Sequence, residues 1–335
     1  MATVDILIPT YNGAIFVKDT LQSILSQSYP DFRILICDDA SKDDTLGIIK
    51  KINDKRIAVI NNKNNLGYSA NLERARKHAT AEFIYLMGQD DIMARDTLKN
   101  TIKAFSLSSD IGAVTRPYFW FDKDIRLPVR AKKKLDPTND TIVNITDNPF
   151  RVIRVFETLD QLSGLAYRRR FMDLPFHPDI FPCHIYPFAS IFKKHPIVFL
   201  KDYNIAVRIS SSQTRSLSSI YDKSPLLSWI EMVKSVYSEK EYHPVQKYLI
   251  KNFITKNYIG LVQIRNYAKY RYLIREIWYL IKFNPHNLLN PLFWFFSIGC
   301  IISPPFLLIP MVEWYKEAIY SKTLTKISFE HNNFQ

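Results

Sequence analysis

Three short polar clusters near the N-terminus each follow an apolar run. They are Thr10-Tyr11-Asn12, Asp38-Asp39 and Gln89-Asp90-Asp91. Adjacent carboxylates are the groups that hold a divalent cation against a phosphorylated ligand. Further on, Asp179 and His184 are single residues that could take a proton from an attacking hydroxyl. Arg208 follows another apolar stretch, with Gln213 and Arg215 on the polar segment beyond it. These side chains could meet a diphosphate or a phosphorylated acceptor, although a plain surface role fits them as well.

The elements that must position these residues alternate. Residues 3–9 read as a buried strand ended by Pro9, and residues 14–27 as a helix with Ile15, Leu21, Ile24 and Leu25 on one side. Arg33–Cys37 is a second strand. The helix after it carries Thr45, Ile48, Ile49 and Ile52. Ala58–Ile60 is a third strand, residues 69–79 a helix, and Phe83–Met87 a fourth strand. Strand–helix alternation predicts an α/β domain with a largely parallel sheet, and such sheets bind ligands at the carboxyl ends of their strands. All three polar clusters fall there. Residues 121–150, with Arg130–Lys134, read as a loop or insertion, and Leu162–Tyr167 as a further strand. From about Leu217 the pattern is helical.

The chain has 335 residues, 47% apolar and 23% charged, so it can bury a core. Its net charge of +13 points to a polyanionic partner. The excess is concentrated at 247–282, where Lys247, Lys251, Lys256, Arg265, Lys269, Arg271, Arg275 and Lys282 face a single Glu276. Their neighbours are Tyr, Ile, Leu and Trp, which favours lipid over nucleic acid. Cys37, Cys183 and Cys300 are far apart and odd in number, so neither a disulfide framework nor a zinc site is expected. No secretory signal is read at the N-terminus.

Ile8-Pro9-Thr10-Tyr11-Asn12, Ser26-Gln27-Ser28-Tyr29, Ile36–Thr45, Asn64-Asn65-Leu66-Gly67 with Asn71, and Gln89-Asp90-Asp91 occur in an order and spacing that resemble a family 2 glycosyltransferase over roughly residues 3–100. The resemblance implies a GT-A type nucleotide-sugar domain with a mostly parallel central sheet. In that reading Pro9, Thr10 and Tyr11 line the nucleobase pocket, Asp39 hydrogen-bonds the base, and Asp38 lies beside it. Asn65, Gly67, Asn71 and Gln89 belong to the donor site. Asp90, with Asp91, holds a divalent metal (Mg2+ or Mn2+) on the diphosphate, and Arg208 could reach that diphosphate. The family's metal motif often reads Asp-x-Asp-Asp. This chain has Gly88 at its first position, which leaves Asp90 and Asp91. No Glu-Asp pair stands where the family carries its catalytic base, so Asp179 and His184 are both candidates.

Plainer readings compete at several positions. Asp90-Asp91 could cap a helix over 94–105, Asn65-Leu66-Gly67 could be a simple turn, and Arg130–Lys134 and Arg168-Arg169-Arg170 could be solvated charge. In the tail, Ile264, Tyr267, Ile274, Ile277, Trp278 and Ile281 would share one face of a helix lying in a membrane interface. Residues 283–312 carry no Asp, Glu, Lys or Arg. Leu288–Val312 is long enough to cross a bilayer, but Pro291, Pro304, Pro305 and Pro310 would break a straight helix. A re-entrant or surface-lying hairpin, or a buried helical layer, would satisfy the same pattern.

The expected organisation is a glycosyltransferase domain at 1–216, with a donor half at 1–117 and an acceptor half at 118–216. A helical, membrane-associating region follows at 217–335. The expected function is inverting transfer of one sugar from a nucleotide-sugar donor to a lipid-linked (polyprenyl diphosphate) acceptor in bacterial surface polysaccharide (O-antigen or capsule) assembly. The expected location is the cytoplasmic face of the inner membrane, peripheral or monotopic, with no nucleic-acid partner. The rival is a non-catalytic sugar-nucleotide or lipid-binding protein on a degenerate glycosyltransferase fold. A dinucleotide-dependent oxidoreductase is disfavoured, because no Gly-x-Gly-x-x-Gly follows the first strand.

Overall fold

The computed structural model describes residues 3–210, 218–316, 321, 324 and 327–331. Gln213 and Arg215 lie outside the described residues. The chain forms two compact units, Met1–Ser210 with Leu324–Gln335, and Ser211–Thr323.

The first unit opens with β1 (Val4–Thr10), α1 (Val17–Leu25), β2 (Phe32–Asp38), α2 (Thr45–Lys51), β3 (Ile57–Asn61), α3 (Tyr68–Lys77) and β4 (Phe83–Leu86). Then come β5 (Ile92–Met93), α4 (Thr97–Ser106), β6 (Ala113–Thr115), β7 (Tyr118–Phe121), β8 (Arg130–Ala131), β9 (Thr141–Val143) and α5 (Pro149–Glu157). It closes with β10 (Ala166–Arg168), α6 (Ile185–Lys194), β11 (Ile197–Phe199) and β12 (Ile205–Arg208). Among the described residues an eight-stranded sheet runs β3-β2-β1-β4-β10-β6-β11-β9, and a four-stranded sheet runs β5-β12-β7-β8. β1 pairs in parallel with both β2 and β4, and β2 with β3. The antiparallel β10 separates β4 from β6.

β1 is buried on both faces, as a central parallel strand must be, which explains its largely apolar run. Its one charge, Asp5, is buried but satisfied. Arg33 donates to both carboxylate oxygens (2.8 and 2.9 Å), and the Thr80 and Ala81 amides donate to one of them (2.6 and 2.9 Å). α1 begins only at Val17, so Ile15 is exposed rather than on the buried side.

Several sequence expectations change here. The stretch after Asp91 enters β5, and α4 is capped at Asp96, so Asp90-Asp91 is not a helix cap. The region 121–150 is not a bare loop, because β8 and β9 lie within it. Arg168 is buried and donates to the carbonyls of Ile111 and Phe105 (2.9 and 3.0 Å). Arg169 donates to Ala81 O and Arg170 to Ser109 O (2.7 Å each). Arg168 is thus not solvated charge, while Arg169 and Arg170 are exposed, each holding a loop carbonyl.

The second unit contains α7 (Pro225–Val236), α8 (His243–Asn252), α9 (Ile259–Tyr267), α10 (Tyr270–Phe283), α11 (Pro291–Ile302) and α12 (Pro305–Tyr315). The single helix expected over 264–281 is broken at Ala268-Lys269, and Ile264 is buried while Ile274 and Trp278 are exposed. Asn287 ties the helices together: it accepts from Tyr258 Oη (2.6 Å) and donates to Leu280 O and Thr255 O (2.9 and 3.0 Å). Ser303-Pro304 separates α11 from α12 because proline cannot continue the ladder, and Arg265 Nε donates to the freed Ser303 carbonyl (3.0 Å). Among the described residues no helix is long and apolar enough to cross a membrane.

The end of the chain does not stay with this helical region. Arg95 N donates to Glu330 O (2.8 Å), and Phe329 packs edge-on against Phe119, so 327–331 belongs to the first unit.

Candidate active site

The loops that follow β1, β2 and β4 are bonded to one another. Thr10 O accepts from Asp39 N (2.8 Å), joining the first two strand ends. Asn12, at φ 49°, donates from its amide to Ser41 Oγ (2.9 Å) and accepts from Lys42 N (2.8 Å) through its side chain. Gln89 clamps Tyr11 from the third strand end, accepting from Tyr11 N and donating to Tyr11 O (3.0 Å each). A side chain at Gly13 would collide with the Gln89 carboxamide, so the clamp requires glycine there.

Asp38 and Asp39 are both buried, with different roles. Asp38 accepts from Ser41 N (3.0 Å) and from the Ser41 hydroxyl, closing its own turn. Asp39 accepts from Asn62 Nδ2 and Leu66 N (2.7 Å each) on one oxygen and from Gly67 N (2.9 Å) on the other. Asn71 donates to Cys37 O (2.7 Å) and accepts from Asn62 (2.9 Å), and Asn65 accepts from Gly67 N (3.0 Å). Asn65-Leu66-Gly67 is therefore a turn pinned by Asp39. Asn62 is the member of this network that sequence reasoning passed over; its only signal was a polar residue just past β3.

The second cluster centres on Gly88. A Cβ built there would lie 2.9 Å from Asp90 Oδ1, 3.0 Å from Asp91 Oδ2 and 3.1 Å from Ser163 Oγ. The two carboxylates thus converge on the space where a larger side chain would stand. Ser163, also missed in the sequence, occupies part of that space: its hydroxyl accepts from Gly88 N (2.8 Å) and donates to Asp91. Asp91 is buried and also accepts from Arg208 N (3.0 Å). Burial and the neighbouring Asp90 charge raise its pKa against the pull of those two donors. Two convergent carboxylates under that strain fit a divalent cation, and Mg2+ characteristically uses one or two carboxylates plus substrate phosphates. Among the described residues no group of three His, Cys, Asp or Glu gathers at a point, so such an ion would take its remaining ligands from substrate and water.

Arg208 ends β12 beside this pair. Its Nε donates to Asp90 O (3.2 Å), its guanidinium approaches Asp19 at 3.7 Å, and it lies over the rings of Phe16 and Phe121. The structure therefore brings Arg208 to the carboxylates. Pro9 sits on β1 opposite Cys37 of β2, at the same strand end.

His184 is not placed to act as a base. Its Nε2 donates to Leu159 O (2.9 Å), and its Nδ1 is buried without a partner. Burial pushes its pKa down to about 4, so near neutral pH it is an uncharged core group at the entry to α6. Asp179 is buried in the preceding loop, where its carboxylate accepts from Phe181 N (3.3 Å). Cys37, Cys183 and Cys300 are all free and buried.

A parallel-led sheet with acidic turns at its strand ends, backed by an antiparallel strand and a small second sheet, is a GT-A type architecture. Residues 5–157 match glycosyl transferase family 2, and the chain carries a glycosyltransferase domain of that family. It is 38% identical over 102 residues to WfaP of Escherichia coli, a UDP-Glc:alpha-D-GlcNAc-diphosphoundecaprenol beta-1,3-glucosyltransferase; the match covers 30% of this chain and 41% of that protein. WfgD of the same organism, a glucosyltransferase of the same named activity, is 31% identical over 99 residues, covering 30% and 39%. The chain thus spans about two fifths of the length of these curated relatives. Among solved structures, residues 1–349 of Staphylococcus aureus TarS in complex with UDP-GlcNAc superpose with a TM-score of 0.65 at 17% identity, covering 95% of this chain and 92% of that one. A Pyrobaculum calidifontis mannosyltransferase in complex with GDP-Man and Mn2+ gives 0.54 at 16%, covering 96% and 87%. At these identities the likeness is one of fold.

Proposed function

We propose that the chain is an inverting glycosyltransferase that moves one sugar from a nucleotide-sugar donor to a lipid-linked saccharide acceptor in bacterial surface polysaccharide assembly. The observation that carries this reading is the convergence of Asp90 and Asp91 over Gly88, at a strand end locked to the Tyr11 and Asp39 loops through Gln89. Pro9, Thr10 and Tyr11 would flank the base. Asp39 would hold the 62–67 loop against the nucleoside, keeping one lone pair of Oδ2 for a ring N–H. Asp90 and Asp91 would hold Mg2+ or Mn2+, which when bound supplies charge neutralisation for the leaving diphosphate. Arg208 would add positive charge at the same place. Of the two base candidates, Asp179 is carried forward, because His184 is buried with Nε2 committed to Leu159 O. The acceptor class rests on the activities of WfaP and WfgD.

The reading includes a membrane surface, at the cytoplasmic face where a polyprenyl-linked acceptor would be met. Its support is the stretch from Leu289 through α11 and α12, where Leu289 is 82% exposed, Phe295 71%, Ile302 72% and Phe306 72%. An exposed apolar face of this size marks an interaction site. Lys256, Lys269, Arg271 and Lys282 are exposed on the preceding elements of the same unit, as are Trp278, Trp294 and Trp314. Basic and indole side chains at the margin of an apolar face suit an anionic bilayer. A twelve-residue helix is about 18 Å long against about 30 Å of hydrocarbon, so α11 would enter one leaflet only.

The test is transfer from a panel of nucleotide sugars to a polyprenyl diphosphate sugar in lipid or detergent, with Mn2+. The expected result is one donor consumed with a labelled lipid product. Donor binding without turnover by any acceptor would instead favour the non-catalytic sugar-nucleotide-binding alternative.

A further inference from the structure

We infer that the segment 327–331 is a strap that positions Arg208, by covering the sheet face on which that arginine stands. Ile327 and Phe329 are then positioning residues for anion binding at the Asp90–Asp91 turn. This rests on the function proposed above and adds a distant part of the chain to its donor site.

The register of the four-stranded sheet puts Arg208 on a definite face. β12 runs parallel to β7, with Ala206 opposite Phe119 and Arg208 opposite Phe121, and Ala206 is also opposite Ile92 of β5. Side chains alternate along a strand, and residues in register across a sheet share a face. Ile92, Phe119, Phe121, Ala206 and Arg208 therefore share one. The first four form a buried cluster of their own, apart from the main core. The other face turns Tyr118, Trp120, Ile205 and Val207 into the main core, with the Arg130 guanidinium 3.5 Å over the Trp120 indole.

A sheet that is buried on its second face needs a cover there. Tyr203 and Ile125 supply part of it, and Ile327 and Phe329 supply the rest from more than a hundred positions further along the chain. Exposure alternates along the strap with the period of an extended chain: Ile327 and Phe329 are half-buried, Ser328 and Glu330 exposed. Phe329 meets the Phe119 ring edge-on at 5.1 Å, and Tyr203 meets the same ring edge-on at 6.2 Å. The main chain is fixed as well, because Arg95 N, two residues past β5, donates to Glu330 O (2.8 Å).

The covered face runs on to the site. Phe121 is two residues along β7 from Phe119, and the Arg208 guanidinium lies over its ring, 4.7 Å from the centre. Arg208 also donates from N to Asp91 (3.0 Å) and from Nε to Asp90 O (3.2 Å). Ile92, in the same cluster, is the residue after Asp91. A shift of the cluster is therefore passed to the arginine and to the acidic turn together. A long side chain keeps one position only where its surroundings lock it. In this role the strap gives no atom to the ligand; it acts through Phe119 and Phe121.

The experiment uses the full chain and reads two quantities. The first is amide hydrogen exchange, which needs no ligand. Phe329→Ala should speed exchange about tenfold at Arg95, whose amide bonds the strap, and at Arg208, whose amide bonds Asp91, while Ile6 in the middle of β1 keeps its rate. The second is affinity for UDP, GDP, dTDP and CDP, titrated calorimetrically with Mn2+. For whichever binds, Phe329→Ala and Arg208→Gln should each weaken binding about fivefold, and the double variant should be no weaker than Arg208→Gln alone. Phe329→Leu should restore most of the affinity, and Ser328→Ala, on the exposed side of the strap, should change neither quantity. Faster exchange at Arg95 with none at Arg208 would overturn the inference, since the strap would then clasp only the end of β5. Unchanged nucleotide affinity in Phe329→Ala would overturn it too, and so would losses that multiply in the double variant, because the two residues would then act separately. If Phe329→Ala does not fold, Ile327→Ala takes its place in both measurements with the same expected pattern. Wild-type protein that binds none of the four nucleotides would sink the donor-site reading, and exchange at Arg208 would then decide the strap's hold on that residue.

Discussion

In the strand-end loops of the first unit, Asp39 accepts from Asn62, Leu66 and Gly67, and Gln89 clamps both main-chain groups of Tyr11. Along α11 and α12 in the second unit, no side chain carries a charge before Glu313, and the exposed surface is Leu, Phe, Ile and Trp. The first region is specified atom by atom. One lost oxygen there leaves several donors unsatisfied, and a buried unsatisfied donor costs about 1–3 kcal/mol. The second region is specified by composition, because apolar burial is non-directional and adds up over many side chains. Substitutions should therefore act steeply in the loops and gradually along α11 and α12.

The largest expected effect is at Asp39. Asp39→Ala frees the 62–67 loop and should weaken donor binding about a hundredfold while lowering stability by about 2–3 kcal/mol. Calorimetry and urea unfolding measure the two. Unchanged donor affinity would separate this loop from the donor pocket.

His184 gives the next effect, and it appears in stability rather than rate. Its folded pKa, about 4, lies below the ordinary histidine value near 6.5. The unfolded chain therefore binds the extra proton first as pH falls. The stabilisation is fully present above about 6.5 and is lost toward pH 4, up to about 3 kcal/mol. His184→Gln should flatten that slope and leave turnover within about tenfold of the wild type. A rate loss beyond about a hundredfold with donor binding intact would restore His184 as the base.

Smaller still is the coupling at Gly88. Gly88→Ala should destabilise by about 1–2 kcal/mol through crowding of Asp90, Asp91 and Ser163. Combined with Ser163→Ala, the total should fall short of the sum, by a margin that thermal melts resolve. Strict additivity would show that Ser163 does not fill the space left by the absent carboxylate.

On α11, Phe295→Ser should change stability by no more than about 0.5 kcal/mol. It should reduce flotation with anionic liposomes only severalfold. The wild type should stay with the vesicles in high salt, since apolar burial is not screened. Its complete release by salt would leave only the basic residues as the contact and remove α11–α12 from it.

The same contrast explains what the sequence disclosed. Strand ends, helices and the acidic turns were legible because apolar runs and local turn chemistry act over a few residues. Thr10, Asp39, Gly67 and Asp90 could be placed from one stretch of chain. Ser163 and Asn62 could not, because their roles depend on contacts with Asp91 and Asp39 across 72 and 23 positions. His184 misled for the same reason: only the fold reveals that Leu159 takes its proton-bearing nitrogen. Arg130 and Lys132 looked like surface charge, but they lie 3.5 and 5.6 Å from the Trp120 ring of β7. The apolar tail was plain in composition, but its division at Ser303-Pro304 and the return of 327–331 to the first unit are tertiary facts.

The central claim is that Asp90 and its neighbour work on a nucleotide sugar through a divalent cation. It is tested most directly by release of nucleoside diphosphate from the cognate donor, with Mn2+ and then with excess chelator, in the wild type, Asp90→Asn and Asp91→Asn. The account predicts turnover that chelation abolishes, a loss of about 10³-fold in Asp90→Asn, and a smaller loss in Asp91→Asn, whose oxygens already serve Ser163 and Arg208. Full turnover in chelator, or an Asp90→Asn enzyme as fast as the wild type, would contradict it.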